Sequence, residues 1–453
     1  MIIVDKALQR RHQEGNPVRI GLVGAGYMGR GITLQIQQSM VGMDVVAISN
    51  RTLPEAERAF HEAGIDDAEH VATQDELERA HAAGHRIFTD DPQLLCRAAS
   101  IDAIVEVTGE VEAAAHVVMA AIAHRKHVVL VNAELDATVG PILKWYADRA
   151  GVVITNADGD EPGVTMNLYR FVKAIGYRPV MAGNVKGFLN HQRNPDTQRG
   201  FAEQHGQRAK MVTSFADGTK LAMEGAVLAN GTGLRIGTRG MDGHRCAHVK
   251  EVLDLYSVDD LLGCARVDYL LGAEPGSGGF VVGYNDHPDK QKYMKYFKMG
   301  DGPLYLFYRP FHLTHLEAPL SVARAVLFSD ATIAPVGGPI ADVLTVAKRD
   351  LNPGDTLDGI GGFTCYGMID NAKTTSSQNL LPMGLADGCR LVRDVAADQP
   401  ITYADVELPE NRLADRLHAE QQELFGLPQP TTFARPWRWR KTVRDHAGES
   451  VLA

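Results

Sequence analysis

Short apolar runs alternate with helical stretches along the first third of the chain. The first unit consists of an apolar run at Arg19–Val23, a helical stretch at Gly29–Gln38 and a second apolar run at Val45–Ser49. The alternation continues with runs at Ala103–Val107, Val128–Val131 and Val152–Thr155, and with helical stretches at Pro54–His61, Ala113–His124 and Val139–Ala150. Strands that alternate with helices are typical of parallel sheets. Residues 1–155 are therefore predicted to form a Rossmann-like domain with a parallel sheet.

The regular alternation fades beyond Asn156. Residues 156–330 carry scattered Gly, Lys, His and aromatic residues, and are predicted to form a central α+β domain for substrate binding and dimerisation. Near Ala331 the pattern changes to strands and turns, beginning with Val343–Ala347, and a charged amphipathic helix starts near Glu410. Residues 331–453 are predicted to form a β-rich third domain with a C-terminal tail. The fold class predicted for the whole chain is α/β.

Composition and charge exclude several classes of function. The 453 residues carry a net charge of −10 without a long basic block, so nucleic acid is not an expected partner. The five cysteines are widely spaced and form no C-x-x-C pair, which disfavours a disulfide framework or a thiolate zinc site. The chain shows neither a signal peptide nor a run of about 18 apolar residues. We therefore expect a cytoplasmic protein that does not span a membrane.

A glycine-rich loop directly follows the first strand and precedes a helix. Gly24, Gly26 and Gly29 fit the spacing G-x-G-x-x-G, with Tyr27 and Met28 between the last two glycines. In dinucleotide-binding proteins the first glycine makes a tight turn, the second lets the backbone approach a pyrophosphate, and the third lets the helix pack on the strand. These five residues are predicted to bind a dinucleotide. The alternative is a turn of the same shape that binds no nucleotide.

The end of the second strand indicates which dinucleotide is bound. NAD-binding proteins commonly place an acidic residue there, whereas this chain has Asn50, Arg51 and Thr52. Arg51 can pair with the 2′-phosphate of NADP, and Asn50 or Thr52 can donate hydrogen bonds to it. NADP(H) is therefore the predicted cofactor. The alternative is that Arg51 is a solvated loop charge.

Two further loops lie at the carboxyl ends of predicted strands, where ligands bind in open parallel sheets. Thr108 and Gly109 follow one strand and are predicted to line the nicotinamide side of the cofactor. Asn132 and Glu134 follow the next strand, where a carboxamide, a ribose or a substrate can be held. The alternatives are a turn of no special role for the first loop and a helix cap for the second.

Three carboxylates, Asp158, Asp160 and Glu161, follow the last strand of the first domain. Such a group at the lip of a cofactor cleft can bind a divalent cation, Mg²⁺ or Mn²⁺, or supply a general base. All three residues are therefore candidate catalytic residues and candidate metal ligands. The Pro162-Gly163 pair that follows them indicates a helix start, where acidic residues are favourable for structural reasons alone.

Two lysines are further candidate catalytic residues. An ammonium at Lys186 or Lys220 can bind a substrate phosphate, or protonate a carbonyl oxygen as hydride arrives. The alternative for Lys220 is an ion pair with Glu224, at i,i+4 on a helix.

His312 and His315 are weaker metal candidates, because the same residue types serve as cross-strand or capping groups.

Taken together, these motifs resemble the homoserine-dehydrogenase-related family. The resemblance rests on the glycine loop with Asn50-Arg51-Thr52, the Asp158–Gly163 loop, the Ser214–Lys220 segment with Asn230-Gly-Thr, and Arg309–Pro319. Within the family, the chain is most similar to the branch of 1-deoxy-D-xylulose 5-phosphate reductoisomerase-like proteins. That branch implies NADPH-dependent conversion of 1-deoxy-D-xylulose 5-phosphate to 2-C-methyl-D-erythritol 4-phosphate, an isoprenoid precursor. A small phosphorylated or hydroxylated carbonyl compound is the expected substrate, and a homo-oligomer, with a dimer favoured, is the expected assembly.

The third domain resembles an SAF domain between residues 331 and 408. The matching segments are Val346–Leu357, Leu381–Leu385, Asp394-Val395 and Pro400–Thr402. The resemblance implies a small β-rich module that reaches over a sugar-like substrate. The alternative is a cap that only stabilises the fold.

Departures from the family patterns leave the substrate open. Asn132-Ala133-Glu134 lacks the lysine that homoserine dehydrogenases carry after the equivalent Asn, and the Ser-Glu-His of the reductoisomerase metal site is absent. One alternative is an NADP-dependent dehydrogenase of another small hydroxy-aldehyde, sugar acid or homoserine-like substrate. Another is a non-catalytic protein that binds NADP or a carbohydrate.

Overall fold

The structure, a computed structural model, describes residues 3–429 of the chain. Its first domain contains α1 (Val4–Gln13), β1 (Val18–Val23), α2 (Tyr27–Ser39), β2 (Met43–Ser49), α3 (Leu53–Glu62), β3 (Glu69–His70), α4 (Gln74–Ala82), β4 (Ile87–Thr89), α5 (Pro92–Arg97), β5 (Ala103–Glu106), α6 (Val111–Ala123), β6 (His127–Leu130), α7 (Ala133–Ala150) and β7 (Ile154–Asn156). The seven strands form one parallel sheet in the order β3-β4-β2-β1-β5-β6-β7. The predicted Rossmann-like parallel sheet is confirmed.

The strand register brings the ends of neighbouring strands to the same level. Val23, the last residue of β1, is aligned with Ser49 of β2 and Glu106 of β5. Leu130 of β6 is aligned with Glu106, and Asn156 of β7 is aligned with Leu130. The loops that follow these strands therefore meet at one edge of the sheet, where open parallel sheets bind their ligands.

The central part of the chain forms a mixed sheet with helices around it. Its elements are α8 (Glu161–Ala174), β8 (Arg178–Lys186), α9 (Pro195–Gln204), α10 (Ala209–Asp217), α11 (Thr219–Thr232), β9 (Arg235–Ile236), β10 (His244–Arg245), α12 (Val252–Leu255), α13 (Val258–Gly263), β11 (Arg266–Leu271), β12 (Gly279–Tyr284), α14 (Pro288–Tyr296), β13 (Leu304–Arg309) and α15 (Thr314–Phe328). The sheet has the order β10-β11-β8-β12-β13, with β9 also paired to β11. β8 is parallel to β11 and antiparallel to β12.

The C-terminal part is built from short antiparallel strands. Its elements are β14 (Ala341–Ala347), β15 (Cys365–Asn371), α16 (Ala372–Ser377), β16 (Arg390–Leu391), β17 (Val406–Glu407) and α17 (Leu413–Leu424). β14 pairs with β15, and β16 pairs with β17. The fold class, with a parallel sheet, a central α+β region and a β-rich end, is as predicted.

Helix α11 lies at the centre of the molecule. All of its residues except Thr232 are buried, and it packs against α7, α8, β14 and β15. One hydrophobic core contains Leu228 of this helix, Val281 of the mixed sheet and Ile369 of β15. The central and C-terminal regions therefore share a core, and α11 connects them.

Several elements carry too little local pattern to be predicted. β3 is two residues long and exposed, so it has no apolar run. Helix α7 begins at Ala133, not near Val139, because the side chain of Asn132 caps it.

The Trp437–Arg440 cluster of the tail lies outside the described residues. Between residues 3 and 429, no helix is both long and apolar enough to cross a membrane.

Candidate active site

The three glycines of the loop between β1 and α2 lie in three different environments. Gly24 has a φ of +108°, and a Cβ atom there would lie 3.1 Å from the carbonyl carbon of Val107. At Gly29 a Cβ atom would lie 2.0 Å from the carbonyl oxygen of Gly24, so only glycine lets α2 start this close to the strand. At Gly26 a Cβ atom would meet no atom within 4 Å. The space beside Gly26 is open at the N-terminus of α2, where a pyrophosphate is favoured.

The residues after β2 differ in what they contact. Oδ1 of Asn50 accepts a hydrogen bond from the backbone N–H of Ala25 at 3.0 Å, and its Nδ2 donates to the carbonyl oxygen of Thr52 at 2.9 Å. Asn50 therefore braces the glycine loop. Thr52 precedes α3 without a capping hydrogen bond from its side chain, and Arg51 is exposed. Arg51 and Thr52 thus keep polar groups that a ligand can reach.

Thr108 and Asn132 converge on Glu106, a buried carboxylate at the end of β5. Oε1 of Glu106 accepts hydrogen bonds from the backbone N and Oγ1 of Thr108 at 2.9 and 2.5 Å, and its Oε2 accepts one from Nδ2 of Asn132 at 2.7 Å. Burial raises the pKa of Glu106 to about 7, although the hydrogen bonds from Thr108 and Asn132 act in the opposite direction. A Cβ atom at Gly109 would lie 3.0 Å from Cε of Met211. Hydrogen bonds to Glu106 therefore hold the Thr108–Gly109 turn in place, and Gly109 borders α10.

Lys186, the last residue of β8, lies between two buried carboxylates. Its Nζ donates to Oε2 of Glu161 at 2.5 Å and to Oε2 of Glu224 at 3.3 Å. Nδ2 of Asn184, also on β8, donates to the same oxygen of Glu161 at 2.5 Å. The side chains of Glu161 and Glu224 are 4% and 5% exposed, and that of Lys186 is 19% exposed. Among these three charged groups, Lys186 is the one that a ligand reaches most readily.

Lys220, in the first turn of α11, forms a second buried ion pair. Its Nζ lies 3.1 and 3.3 Å from the two carboxylate oxygens of Glu134, in the first turn of α7. Asp160 is buried nearby and does not cap α8 with its side chain. Burial raises the pKa of Asp160, and the charge of Lys220 acts against this rise. The ion pair of Glu224 is with Lys186 rather than with Lys220.

The two ion-pair groups form one electrostatic unit. We call it the lysine–carboxylate cluster, and it consists of Glu134, Asp160, Glu161, Lys186, Lys220 and Glu224. Burial raises the pKa of Glu224 to about 7, although the ammonium of Lys186 acts in the opposite direction. For both lysines burial lowers the pKa, but the neighbouring carboxylates outweigh it and hold the pKa above its ordinary value. The cluster can therefore take up and release a proton near neutral pH while both lysines stay charged.

The hydrogen-bond partners of the Asp158 carboxylate lie outside the lysine–carboxylate cluster. Its two oxygens accept hydrogen bonds from Nδ2 of Asn167 at 2.8 and 2.9 Å, and Oδ1 also accepts one from the backbone N–H of Gly159. The three carboxylates predicted as metal ligands thus have separate partners. Among the residues that the structure describes, no group of three or more His, Cys, Asp or Glu is arranged to hold a metal ion. These residues do not fit a resident Mg²⁺ or Mn²⁺ ion.

The loop between β13 and α15 contacts the cluster, and the first turn of α15 contacts the start of α2 after the glycine loop. Nε2 of His312 lies 3.5 Å from Oε1 of Glu161. The ring of His315 lies edge-on to that of Tyr27, with the centroids 6.4 Å apart. Tyr27 and Met28 form the first turn of α2. The predicted cofactor loop and the lysine–carboxylate cluster are therefore neighbours on one side of the molecule.

Sequence reasoning alone did not place Glu224, Asn184 or Glu106 in the site. The sequence around Glu224 indicates only a helix-surface ion pair. Asn184 could have been found, because Asn184 and Lys186 are two positions apart on a strand and so lie on the same face. Glu106 could also have been found, since a carboxylate that ends an apolar strand at the ligand-binding edge is an unusual choice.

Three segments of the chain match known protein families. Residues 24–152 match the NAD binding domain of homoserine dehydrogenase, residues 159–318 match the catalytic domain of oxidoreductase DRL, and residues 345–407 match the SAF domain. No curated protein sequence matches the chain. The chain thus carries an oxidoreductase catalytic domain, preceded by a domain for a nicotinamide cofactor and followed by an SAF domain.

The solved structures that match the chain include three dehydrogenases, at low sequence identity and low TM-score. A probable dehydrogenase from Thermotoga maritima is 12% identical, with a TM-score of 0.42, over 71% of this chain and 91% of that one. Apo scyllo-inositol dehydrogenase from Lactobacillus casei is 11% identical, with a TM-score of 0.39, over 69% of this chain and 87% of that one. Myo-inositol dehydrogenase from Lactobacillus casei, solved with NAD(H) and myo-inositol, is 17% identical, with a TM-score of 0.28, over 40% of this chain. The match spans 50% of that enzyme's length.

Proposed function

We propose that the chain is an NADP(H)-dependent oxidoreductase that reduces a small hydroxylated carbonyl compound at the lysine–carboxylate cluster. The observation that carries the proposal is the ammonium of Lys186, held by Glu161 and Glu224 beside the loops at the carboxyl edge of the parallel sheet. The matches to an oxidoreductase catalytic domain and to an NAD binding domain support the class of reaction.

The glycine loop fits a dinucleotide, because the space beside Gly26 is open at the N-terminus of α2. Arg51 and Thr52 would hold the 2′-phosphate of NADP, while Asn50 keeps the loop in place. Thr108 would border the nicotinamide. When bound, NADPH supplies the hydride for the reduction.

Lys186 has the charge needed to activate a carbonyl oxygen. Because Glu161 and Glu224 keep it protonated, Lys186 stabilises the negative charge that grows on the oxygen during hydride addition. It then passes a proton to the alkoxide and regains one from Glu224. A pKa of about 7 suits Glu224 to this task near neutral pH.

The second ion pair is suited to bind substrate hydroxyl groups. The carboxylates of Glu134 and Asp160 accept hydrogen bonds from hydroxyls, and the ammonium of Lys220 donates to them. Carboxylates already match the charges of both lysines. A phosphorylated substrate would therefore place its phosphate outside the cluster.

As the specific reaction we propose the reductoisomerisation of 1-deoxy-D-xylulose 5-phosphate to 2-C-methyl-D-erythritol 4-phosphate. The resemblance of the Asp158–Gly163 and Ser214–Lys220 segments to the reductoisomerase-like branch supports it, as does the match of residues 159–318 to oxidoreductase DRL. The rearrangement needs a base that takes a hydroxyl proton, and it yields an aldehyde that accepts the hydride. Asp160 is the carboxylate whose raised pKa fits that base, while Glu224 supplies the proton for the reduction.

The second candidate is an NADP-dependent dehydrogenase of another hydroxy-aldehyde or sugar acid, without rearrangement of the carbon skeleton. The separate partners of Asp158, Asp160 and Glu161 favour it, since between residues 3 and 429 no group of three or more His, Cys, Asp or Glu is arranged to hold a cation that would assist the rearrangement.

A substrate screen distinguishes the two. The full-length chain is mixed with NADPH and either 1-deoxy-D-xylulose 5-phosphate or a panel of hydroxy-aldehydes and keto sugar acids, with Mg²⁺ or with EDTA, and the loss of NADPH absorbance is followed. Oxidation with the pentulose phosphate supports the first candidate. Oxidation with another compound alone, unaffected by EDTA, supports the second. NADPH binding without oxidation of any compound would contradict both and indicate a non-catalytic NADP-binding protein.

A further inference from the structure

We propose that the SAF domain positions the active site through Lys348, whose ammonium holds in place two chain segments next to members of the lysine–carboxylate cluster, the loop that follows Lys186 and the start of α11. Lys348 is then a positioning residue for Lys186, Lys220 and Glu224. This inference rests on the proposed function, because it assumes that the cluster is where the reaction occurs.

The ammonium of Lys348 is buried, and each of its three N–H groups donates a hydrogen bond inside the protein. Lys348 follows β14, and its side chain is 3% exposed. Its Nζ donates to Oδ2 of Asp217 at 2.8 Å, to the carbonyl oxygen of Arg193 at 2.8 Å and to that of Gly362 at 2.6 Å. An ammonium has three protons, so each has one acceptor. Gly362 belongs to the C-terminal region, whereas the other two acceptors belong to the central one.

The first acceptor fixes the start of the helix that carries two cluster residues. Asp217 is completely buried, and its Oδ1 accepts a hydrogen bond from the backbone N–H of Thr219 at 2.8 Å. Gly218, between them, has a φ of +91° and ends α10. Lys220 follows in the first turn of α11, and Glu224 lies one turn later. A shift of Asp217 would therefore displace the start of α11 and, with it, the backbone that carries Lys220 and Glu224.

The second acceptor fixes the segment that follows Lys186. The carbonyl oxygen of Arg193 belongs to the loop that leaves β8. In the same loop, Nδ1 of His191 lies 2.7 Å from the carbonyl oxygen of Asp217, and its ring stacks on Tyr366 of β15 at 4.4 Å. The loop after Lys186 is thus bound to the start of α11 and to the SAF domain at once.

A second, independent contact joins the SAF domain to α11. The backbone N–H of Gly367, on β15, donates to Oγ1 of Thr219 at 2.9 Å. Thr219 immediately precedes Lys220, so the SAF domain contacts the active-site helix at the residue before a cluster member. A domain that served only as an outer cap would not need hydrogen bonds at this position.

The test compares Lys348→Met with a matched control, Lys126→Met. Nζ of Lys126 also donates to main-chain oxygens, those of Ala98 and Ile101 at 2.6 and 2.7 Å, but in the first domain and away from the cluster. Both variants lose a partly or fully buried ammonium, so both are expected to lower Tm. All kinetic measurements are made well below the Tm of each variant.

In K348M, kcat should fall by about tenfold to hundredfold while the Kd for NADPH stays within about twofold, because misplaced catalytic groups slow chemistry and the glycine loop is untouched. The pH dependence of kcat should also shift, since Glu224 loses its fixed distance from Lys186. In K126M both kcat and its pH dependence should remain those of the wild type. A kcat for K348M equal to that of the wild type would overturn the proposal.

The double variant D217N/K348M separates positioning from stability. Removing both charges relieves the unpaired buried carboxylate, so Tm should recover towards the wild-type value. If the ammonium positions the site, kcat stays low despite the recovered Tm. Recovery of kcat together with Tm would show that Lys348 only stabilises the fold, and would overturn the proposal.

Hydrogen–deuterium exchange tests the inference without any substrate. Residues 186–193 and 219–224 should both exchange faster in K348M than in the wild type, and neither should do so in K126M. Faster exchange confined to residues 345–407 would refute the positioning role. If the wild type reduces no compound but both segments respond, the proposed function fails while the mechanical coupling stands.

Discussion

At the scale of single residues, the proposed reaction gives Lys186 and Glu224 complementary parts in moving one proton. Burial raises the pKa of Glu224 to about 7, so this carboxyl exchanges its proton near neutral pH. Burial alone would lower the pKa of Lys186, but Glu161 and Glu224 outweigh it and keep the ammonium charged. In the proposed reaction, Lys186 therefore places a positive charge where the carbonyl oxygen would lie, and Glu224 behind it replaces the proton that Lys186 gives up.

Glu224→Gln tests whether the carboxyl of Glu224 supplies the proton for the reduction. Reduction uses the protonated carboxyl, so kcat of the wild type for NADPH-dependent reduction should fall as the pH rises through about 7. In E224Q, kcat should be lower by about a hundredfold, and the fall near neutrality should be absent. The measurement is kcat against pH at saturating NADPH. A variant whose profile still falls near neutrality would exclude Glu224 as the titrating group.

At the scale of elements, the sequence predicts those turns, helix starts and strands that interactions within a few residues determine. The spacing of Gly24, Gly26 and Gly29 predicts the turn between β1 and α2, and Pro162 predicts the start of α8, as observed. These features depend on backbone conformation within a few residues. The same holds for the alternation that predicts the parallel sheet.

The cluster could not be predicted in this way, because its members come from distant elements. Lys186 is 25 residues from Glu161 and 38 residues from Glu224, and only the packing of α8, β8 and α11 brings them together. Conversely, Asp158 and Asp160 are close in sequence but have different partners, since the turn into α8 separates them. Proximity along the chain is therefore a poor guide to which carboxylates act together.

The glycine loop provides a matched pair of substitutions. Gly26→Ala adds a methyl group in open space, so Tm should change little while the Kd for NADPH rises at least about tenfold, because the methyl group occupies the place of the pyrophosphate. Gly29→Ala places the methyl group against the carbonyl oxygen of Gly24, so Tm itself should fall by several degrees. Thermal melts and NADPH titrations check both. Equal NADPH affinity of G26A and the wild type would rule out a cofactor at this loop.

Arg51→Glu tests the choice of cofactor. The guanidinium is exposed after β2, and a carboxylate in its place would repel the 2′-phosphate of NADP. The Kd for NADPH should rise about tenfold or more, and the Kd for NADH should change by less than about threefold. Fluorescence titration with both cofactors measures the ratio. An unchanged ratio would mean that Arg51 is only a solvated loop charge.

At the scale of the whole molecule, three matched segments act as one structure. α11 is buried between the central sheet, α7 and the strands of the SAF domain, so the residues that carry the proposed chemistry lie at the junction of all three. In the lysine–carboxylate cluster, four carboxylates surround two lysines. These features favour a neutral, hydroxylated group as the part of the substrate that enters the cluster.

The most direct test of the central claim is NADPH oxidation by the wild type and by Lys186→Gln, measured with the same panel of hydroxylated carbonyl compounds and alongside NADPH binding. The wild type should oxidise NADPH with at least one of these compounds. K186Q should retain NADPH affinity within about twofold but lose about a hundredfold or more in kcat, because the charge beside the carbonyl oxygen is gone. A K186Q variant with the kcat of the wild type, or a wild type that binds NADPH but oxidises it with none of the compounds, would contradict the account.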